Sequence, residues 1–298
     1  MKTATAPKLS LVTVNRNDAV GLARTLDSVR AQTFRDFEHV VIDGASTDGS
    51  VDEIRARADG LAYWTSEPDG GIYAAMNKGW RRACGEYVNF LNSGDWLAAP
   101  DVLERVFARE PVSADMVYGD SLRPDGAGGW KLLSQPDEWT AARFFDMGIC
   151  HQTLFYRREL LEMLGGCDER YRIVADWEFN FRALLAGRSA RHLPLAIVGY
   201  AGGGVSATRV AEMEAEKRDM RARLLPAAVL RDYEQWLPVE KEWRRLKNVE
   251  AWVERLKARN PLLNFAMAVQ WSLARPARRP APAERSKPCT SCLPSTGI

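Results

Sequence analysis

The sequence predicts an α/β fold: a mostly parallel sheet flanked by helices, followed by a helical C-terminal extension. Two observations carry this prediction. Strand-like runs alternate with helical patterns of about ten to fifteen residues in the N-terminal part, and the alternation ends after Gly199. Because parallel strands joined by right-handed crossovers end at one edge of the sheet, we expect ligands to bind at the carboxyl ends of the strands.

The elements follow one another with local signals. A β-branched run at residues 9–14 forms the first predicted strand, and Asn17 and Asp18 form a capping signal for the helix that follows it. Pro100 opens a later helix, and Gly85 stops an earlier one. Strands are predicted at residues 9–14, 39–42, 61–64, 87–91 and 116–120.

The length of 298 residues fits one α/β unit with an appendage. We predict a core over residues 1–204 with two halves, residues 8–120 and residues 121–204. A helical extension is predicted at 205–275 and a disordered tail, rich in Pro, Arg and Ser, at 276–298.

The charge distribution and the cysteine content limit the expected binding partners and the expected compartment. The net charge of +2 divides into −5 over residues 1–204 and +7 over residues 205–298. No aromatic-interleaved basic groove is visible, so nucleic acid is not expected. The segment 260–279 is apolar with flanking arginines, which favours a helix on the inner face of the cytoplasmic membrane or one packed on protein. The odd number of five cysteines and no recognisable signal peptide favour the cytoplasm.

Polar clusters stand where predicted strands end: Thr13 with Asn15, Asp43 with its glycine and serine neighbours, and residues 92–95. The chain has no glycine-rich dinucleotide fingerprint after its first strand and no P-loop motif. A bound diphosphate would therefore need other means of neutralisation, and a carboxylate-bound divalent cation is the simplest.

Four segments in matching order resemble the family 2 glycosyltransferases of the GT-A fold: residues 13–17, 41–50, 66–79 and 90–96. The resemblance extends to about residue 200 and makes chance coincidence improbable. It implies that Thr13 and Asn15 line a nucleotide pocket and that Asp43 accepts from a uracil imide or a ribose hydroxyl. The other interpretation of Asp43 is a plain Asx turn.

The resemblance also places Asp69 and Asn77 in the segment that covers the nucleotide. The family often carries an arginine immediately before that asparagine, where this chain has Met76. Residues 92–95 stand where the family has its D-x-D element, so Asn92 takes the ribose position and Asp95 is the expected ligand of Mg²⁺ or Mn²⁺. The alternative is a simple turn, with protein cations neutralising the diphosphate.

The resemblance makes residues 8–120 the nucleotide-sugar half of the core and residues 121–204 its acceptor and catalytic half. Ala175 and Asp176 stand where the family has its Glu-Asp motif, and because alanine replaces the glutamate, Asp176 is the expected catalytic base. One carboxylate suffices for inversion. A helix N-cap is its other interpretation. His151 is expected to hold the diphosphate or an acceptor hydroxyl, or to be structural, and Asp168 is a weaker candidate for ligand contact.

The function expected from the resemblance is transfer of a sugar from a nucleotide sugar, with UDP as the first candidate, to a saccharide or lipid-linked saccharide acceptor. Two alternatives remain open at this point. One is a catalytically silent sugar-nucleotide or scaffold protein, motivated by Met76, Gly94 and Ala175. The other is a nucleotidyltransferase, whose glycine-rich loop after the first strand this chain lacks.

Overall fold

The computed structural model describes residues 6–108, 112–146, 148–200, 202 and 208–259. The chain divides into two compact units, Met1–Pro226 and Ala227–Ile298. The predicted interfacial helix at 260–279 and the predicted disordered tail at 276–298 lie outside the described residues.

The described part of the first unit contains one nine-stranded sheet. Its strands are β1 Leu9–Asn15, β2 Phe37–Asp43, β3 Tyr63–Ser66, β4 Tyr87–Phe90, β5 Trp96–Leu97, β6 Met116–Pro124, β7 Trp130–Leu133, β8 Leu154–Arg157 and β9 Ala190–Gly199. The strand order is β3-β2-β1-β4-β8-β6-β9-β5, with β7 paired to β6.

The described helices are α1 Ala19–Arg30, α2 Ser50–Arg55, α3 Ile72–Arg82, α4 Val102–Phe107, α5 Ala141–Asp146, α6 Arg158–Leu164, α7 Ala175–Leu185, α8 Val210–Leu224 and α9 Ala227–Arg259. The predicted cap of α1 is confirmed, because the Asp18 carboxylate accepts from the Gly21 N–H at 3.0 Å. Among the described residues, no helix combines the length and the apolar character that a membrane crossing requires.

The predicted α/β fold is confirmed, with a parallel half and a mixed half. Strands β3, β2, β1 and β4 run parallel. Strand β8 then lies antiparallel between β4 and β6. The chain moves from β1 to one side through β2 and β3 and returns on the other side at β4. Such a switch point opens a crevice at the carboxyl ends of β1 and β4.

Close packing fixes α3 on the centre of the sheet. Every residue of β1 is buried, as expected for a parallel strand covered on both faces. A Cβ at Gly79 of α3 would lie 2.3 Å from Val12 Cγ1. The absence of a side chain at Gly79 therefore lets α3 approach β1 closely, which places the first turn of α3 near the strand ends.

Two of the differences from the expected boundaries have a clear physical reason. Strand β3 begins at Tyr63 rather than at Leu61, because Ala58–Gly60 forms a 3-10 turn and the Leu61 N–H bonds to the Ala58 carbonyl. The first unit continues to Pro226, beyond the predicted core boundary at 204. The reason is that α8 bonds to the chain segment that precedes α7.

Candidate active site

Three strand ends meet at one edge of the sheet. Asn15 and Asp43 are the last residues of β1 and β2 and are paired in register, and Asp43 is paired in turn with Ser66 of β3. The chain after β4 continues into residues 92–95, which we call the donor loop, and the Ser93 N–H bonds to the Val14 carbonyl. The polar clusters predicted at the strand ends are therefore neighbours.

Asp43 is a buried, fully hydrogen-bonded carboxylate. Its Oδ1 accepts from Asn15 Nδ2 at 2.7 Å and from Ser46 Oγ at 2.5 Å. Its Oδ2 accepts from Ser46 N at 2.9 Å and from Ser66 Oγ at 2.6 Å. Burial raises the pKa of Asp43, but the bonds from Ser46, Ser66 and Asn15 outweigh burial and hold the pKa below its ordinary value. The group is an anion at neutral pH whose roughly four acceptor sites are all used by protein.

The backbone around Asp43 is in an uncommon conformation. Asn17 and Ala45 have φ angles of 51° and 57°, the left-handed region that non-glycine residues rarely adopt. The Asn17 N–H donates to Ser46 Oγ at 2.7 Å, and Asn17 Oδ1 accepts from Thr47 N at 2.8 Å. Strain of this kind concentrates at binding sites, where surrounding hydrogen bonds hold it.

Thr13 lies inside the sheet rather than on a pocket wall. Its side chain is fully buried, and Oγ1 lies 2.9 Å from His39 Nε2. Burial lowers the pKa of His39 to about 4, so the ring is neutral at pH 7. The Thr13 hydroxyl therefore has a partner inside the fold, whereas the sequence analysis expected Thr13 to line the nucleotide pocket.

The donor loop is held from both sides. Thr25 of α1 donates to the Asp95 carbonyl at 2.6 Å and accepts from the Gly94 N–H at 3.0 Å. On the other side, Gln152 Nε2 donates to Asp95 Oδ2 at 2.8 Å. Gly94 has a φ of 90°, which glycine adopts without strain. The backbone conformation at this position therefore explains why the motif carries a glycine here.

Asp176 stands in the first turn of α7 and receives two hydrogen bonds from other elements. The Tyr73 hydroxyl of α3 lies 2.8 Å from Oδ1 and 2.7 Å from the Ile173 carbonyl, so it shares its one proton between these acceptors, and His151 Nδ1 lies 2.7 Å from Oδ2. The other ring nitrogen of His151, Nε2, lies 3.0 Å from Asn92 Nδ2. Since the Asn92 amide is a donor, His151 accepts at Nε2 and donates from Nδ1.

Asp176 is partly accessible and ionised. Its side chain is 19% exposed. Burial raises its pKa, but the hydrogen bonds from His151 and Tyr73 outweigh burial and lower the pKa below its ordinary value. Each carboxylate oxygen accepts one of these bonds, so it keeps further acceptor capacity for a hydroxyl. Asp176 can therefore take a proton at neutral pH.

Asn77 has no hydrogen-bonding capacity left for a ligand. Its Nδ2 donates to the Cys167 carbonyl and to Glu169 Oε1, both at 2.8 Å. Its Oδ1 accepts from Cys167 N at 3.0 Å and from Trp80 Nε1 at 3.1 Å. Two donors and two acceptor sites are the whole capacity of an amide side chain. Asn77 joins α3 to the segment 167–169.

Asp69 and Asp168 accept hydrogen bonds from residues two positions further along the chain. Asp69 accepts from the Gly71 N–H at 2.9 Å and lines an open cavity of about 590 Å³. Asp168 forms an ion pair with Arg170, which is the main cause of its lowered pKa. Lys78, a possible substitute for the family's arginine, pairs with Glu67 at 2.7 Å.

Sequence reasoning missed three partners in the site: Tyr73 on Asp176, Gln152 on Asp95, and Ser66 on Asp43. Tyr73 and Gln152 lie inside segments that the motifs singled out: Tyr73 between Asp69 and Asn77, and Gln152 directly after His151. Their proximity to a carboxylate depends on pairing across 103 and 57 positions of chain, which no local pattern reports.

Comparison with known proteins gives the class. The family model described as Glycosyl transferase family 2 matches residues 10–163. A PGL/p-HBAD biosynthesis glycosyltransferase of Mycobacterium bovis is 33% identical over 257 residues, which cover 84% of this chain and 99% of the relative. An uncharacterized glycosyltransferase of Mycobacterium tuberculosis is 39% identical over 187 residues, 60% of this chain and 70% of the relative.

Two solved structures share the fold. S. aureus TarS 1-349 in complex with UDP-GlcNAc aligns with a TM-score of 0.56 at 22% identity, over 66% of this chain and 59% of that one. The mannosyltransferase PcManGT from Pyrobaculum calidifontis, in complex with GDP-Man and Mn²⁺, aligns with a TM-score of 0.58 at 22% identity, over 91% of this chain and 81% of that one.

The sheet and the two solved structures define a GT-A-type fold, and the family model and the named relatives define the class of protein, a glycosyltransferase. More particularly, the chain belongs to glycosyl transferase family 2, because the family model covers more than half of it. The expected resemblance, fold class and enzyme class are thereby confirmed. Both relatives are named as glycosyltransferases, and neither is named as a nucleotidyltransferase or as a scaffold protein.

Proposed function

We propose that the enzyme transfers a sugar, with inversion, from a nucleotide sugar to a saccharide acceptor. The observation that carries this proposal is the anionic Asp176, which His151 links to Asn92 of the donor loop. A base and a donor-binding loop within one hydrogen-bonded cluster are what a single displacement requires. UDP-sugars are the first donor candidates, because TarS was solved with UDP-GlcNAc.

The nucleotide pocket is proposed at the ends of β1 and β2, with Asn15 and Asp43 as its anchors. Since Asp43 is completely buried, we assign direct ligand contact to a half-buried serine that donates to it, Ser66. The Ser66 hydroxyl donates to the carboxylate, so its oxygen remains available to a base or ribose donor, whereas Ser46 Oγ already accepts from Asn15 Nδ2 and from the Asn17 N–H. Asp69 is proposed at the open side of the same pocket.

A divalent cation, Mg²⁺ or Mn²⁺, fits the donor loop if the diphosphate and water supply most of its oxygen ligands. Among the described residues no three His, Cys, Asp or Glu side chains gather as a metal site. Asp95 therefore offers one carboxylate, and the diphosphate and water must supply the other oxygens, as is common for Mg²⁺ at phosphates. Asn92 Oδ1, buried and without a hydrogen-bond partner in the described structure, is a further oxygen in this loop. The cation would neutralise charge on the departing diphosphate.

Asp176 is proposed as the general base. Its carboxylate removes the proton of an acceptor hydroxyl while the acceptor oxygen attacks the anomeric carbon, and the nucleoside diphosphate leaves from the opposite face. Tyr73 and His151 hold the carboxylate in place and keep it ionised. His151 acts through Asp176, because both of its nitrogens have protein partners. Asp168 takes no part in this step.

The acceptor class proposed is a lipid-linked saccharide or glycolipid on the cytoplasmic side of the membrane. The support is the relative named for PGL/p-HBAD biosynthesis, which aligns over 84% of this chain. Residues 121–204 supply the acceptor side, because Asp176 lies in that half. Membrane contact through 260–279 stays a prediction from the sequence.

The test is calorimetric titration of UDP, GDP and dTDP into the wild type, Asp43→Ala and Asp95→Ala, each with Mn²⁺, with Mg²⁺ and with chelator. We expect one nucleotide to bind in a metal-dependent manner, with Asp95→Ala losing the metal-dependent gain and Asp43→Ala losing binding altogether. Absence of binding by every nucleotide would remove the donor site and leave a silent scaffold as the account of this chain.

A further inference from the structure

The short turn at residues 150–153, here called the bridging turn, contacts both functional parts of the site through successive residues. His151 bonds to Asn92 and Asp176, and the next residue, Gln152, bonds to Asp95. The base and the carboxylate of the donor loop are therefore positioned by one piece of backbone.

The bridging turn is itself rigidly built. Thr153 donates to the Cys150 carbonyl through its N–H at 3.0 Å and through Oγ1 at 2.8 Å. Asn89, a buried residue of β4, donates to the Gln152 carbonyl at 2.9 Å and to the Leu154 carbonyl at 2.8 Å. These bonds fix where the Gln152 side chain starts.

The orientation of the Gln152 amide is also fixed. The side chain is 4% exposed, its Oε1 accepts from the Cys150 thiol at 2.9 Å, and its Nε2 donates to Asp95 Oδ2 at 2.8 Å. Burial raises the pKa of Cys150 to about 12, so the thiol is a hydrogen-bond donor at neutral pH. A donor at Oε1 leaves the N–H side of the amide facing Asp95.

We propose that Gln152 is the positioning residue of Asp95: its amide, oriented by Cys150, sets the plane of the carboxylate that binds the divalent cation of the donor. This inference rests on the proposed function, since it presumes a cation at Asp95. An amide suits the task because it stabilises the anionic carboxylate without adding charge. Partners that orient a ligating carboxylate in this way commonly change metal affinity about 10–100-fold when removed.

The experiment measures UDP affinity, with GDP in parallel, by calorimetry across a series of Mn²⁺ concentrations and in chelator. The readout is the Mn²⁺ concentration that gives half of the metal-dependent gain in nucleotide affinity. For Gln152→Met we expect this concentration to rise about 10–100-fold, while nucleotide affinity in chelator stays within about twofold of the wild type.

Two substitutions of Cys150, to serine and to alanine, form a matched pair that leaves Gln152 in place. This pair tests the inference if Gln152→Met does not fold. Cys150→Ser keeps a donor to Oε1, so its half-point should match the wild type. Cys150→Ala removes the donor and should raise the half-point several-fold.

Three results would overturn the inference: a half-point for Gln152→Met within about twofold of the wild type, an equal loss of affinity in chelator, or identical behaviour of the two Cys150 variants. If the wild type itself binds no nucleotide, the proposed function fails together with this inference. If the wild type binds nucleotide in a metal-dependent manner and one of the three results is found, only the inference about Gln152 fails.

Discussion

The state of Asp176 is set by individual donors, and their removal has a predictable sign. His151 and Tyr73 each lower the pKa of Asp176 against the opposing effect of burial. A general base works when it is deprotonated, so activity is present above this pKa and is lost as the pH falls through it. In His151→Ala and in Tyr73→Phe the pKa rises, and the acid limb of the kcat/KM profile should move to higher pH.

The same pH profiles also define the result that would contradict the role of Asp176. Wild type and both variants are compared with the same donor and acceptor, with folding checked by thermal unfolding. An acid limb that stays in place in both variants would show that another group titrates in it, and Asp176 would not be the base.

Asn77 is the residue at which sequence and structure differ most in what they imply. The motif predicts a ligand contact, whereas the structure uses all four hydrogen-bonding positions of the amide on Trp80, Cys167 and Glu169. Those partners from residue 167 onward are 90 or more positions away, beyond the reach of local pattern.

Asn77→Ala should therefore act on stability. It leaves buried groups without partners, at a cost of about 1–3 kcal/mol in the free energy of unfolding for each such group. Nucleotide affinity of the folded fraction should be unchanged. Denaturant unfolding and calorimetry on the same sample decide this: unchanged stability with lost affinity would restore the ligand contact that the motif predicts.

At the scale of elements, α8 holds the chain segment that leads into α7. The Glu216 carboxylate accepts from the backbone N–H groups of Arg172, Ile173 and Val174 at 2.8 Å, 2.9 Å and 3.1 Å. Tyr171 bonds to Asp219 at 2.8 Å on the same helix. Asp176 lies one turn further along, so α8 sets the position of the base from outside the predicted core.

Glu216→Ala should lower kcat more than it raises the KM for the nucleotide sugar, because it loosens the segment before Asp176 and leaves the donor loop intact. Three N–H groups lose an ionic acceptor, so the free energy of unfolding should fall by about 1–3 kcal/mol. Glu212→Ala, a change on the same helix at an exposed pair with Arg209, is the matched control. An equal effect of the two changes on kcat would contradict a positioning role.

Most strands of the parallel half could be predicted, because each is a short apolar run between turn signals. Predicted and observed strands agree closely at β1, β2 and β4, and the polar clusters do lie at the adjoining ends. The antiparallel insertion of β8 between β4 and β6 could not be predicted, since hydrophobic periodicity carries no information about pairing order. It is this insertion that brings the bridging turn to the donor loop.

At the scale of the whole molecule, a buried neutral histidine makes stability depend on pH. The pKa of His39 is lowered to about 4 by burial, whereas an unfolded histidine has a pKa near about 6.5. As the pH falls below about 6.5 the unfolded chain takes up the proton first, so stability is present above that pH and is lost toward pH 4. The expected loss between about pH 7.5 and about pH 5 is about 2 kcal/mol.

Urea unfolding of the wild type and of His39→Gln at the two pH values measures this term. Glutamine can still bond to Thr13 but does not titrate, so the variant should show a smaller loss on acidification. The same loss in both proteins would place the acid sensitivity in other groups.

The central claim is that a single carboxylate, Asp176, serves as the base of a nucleotide-sugar transferase. The most direct test compares wild type and Asp176→Asn for sugar transfer and for nucleotide binding in the presence of Mn²⁺. The predicted result is a fall in kcat of about 10²–10⁴-fold with nucleotide affinity retained. Transfer at an undiminished rate by Asp176→Asn would contradict the account.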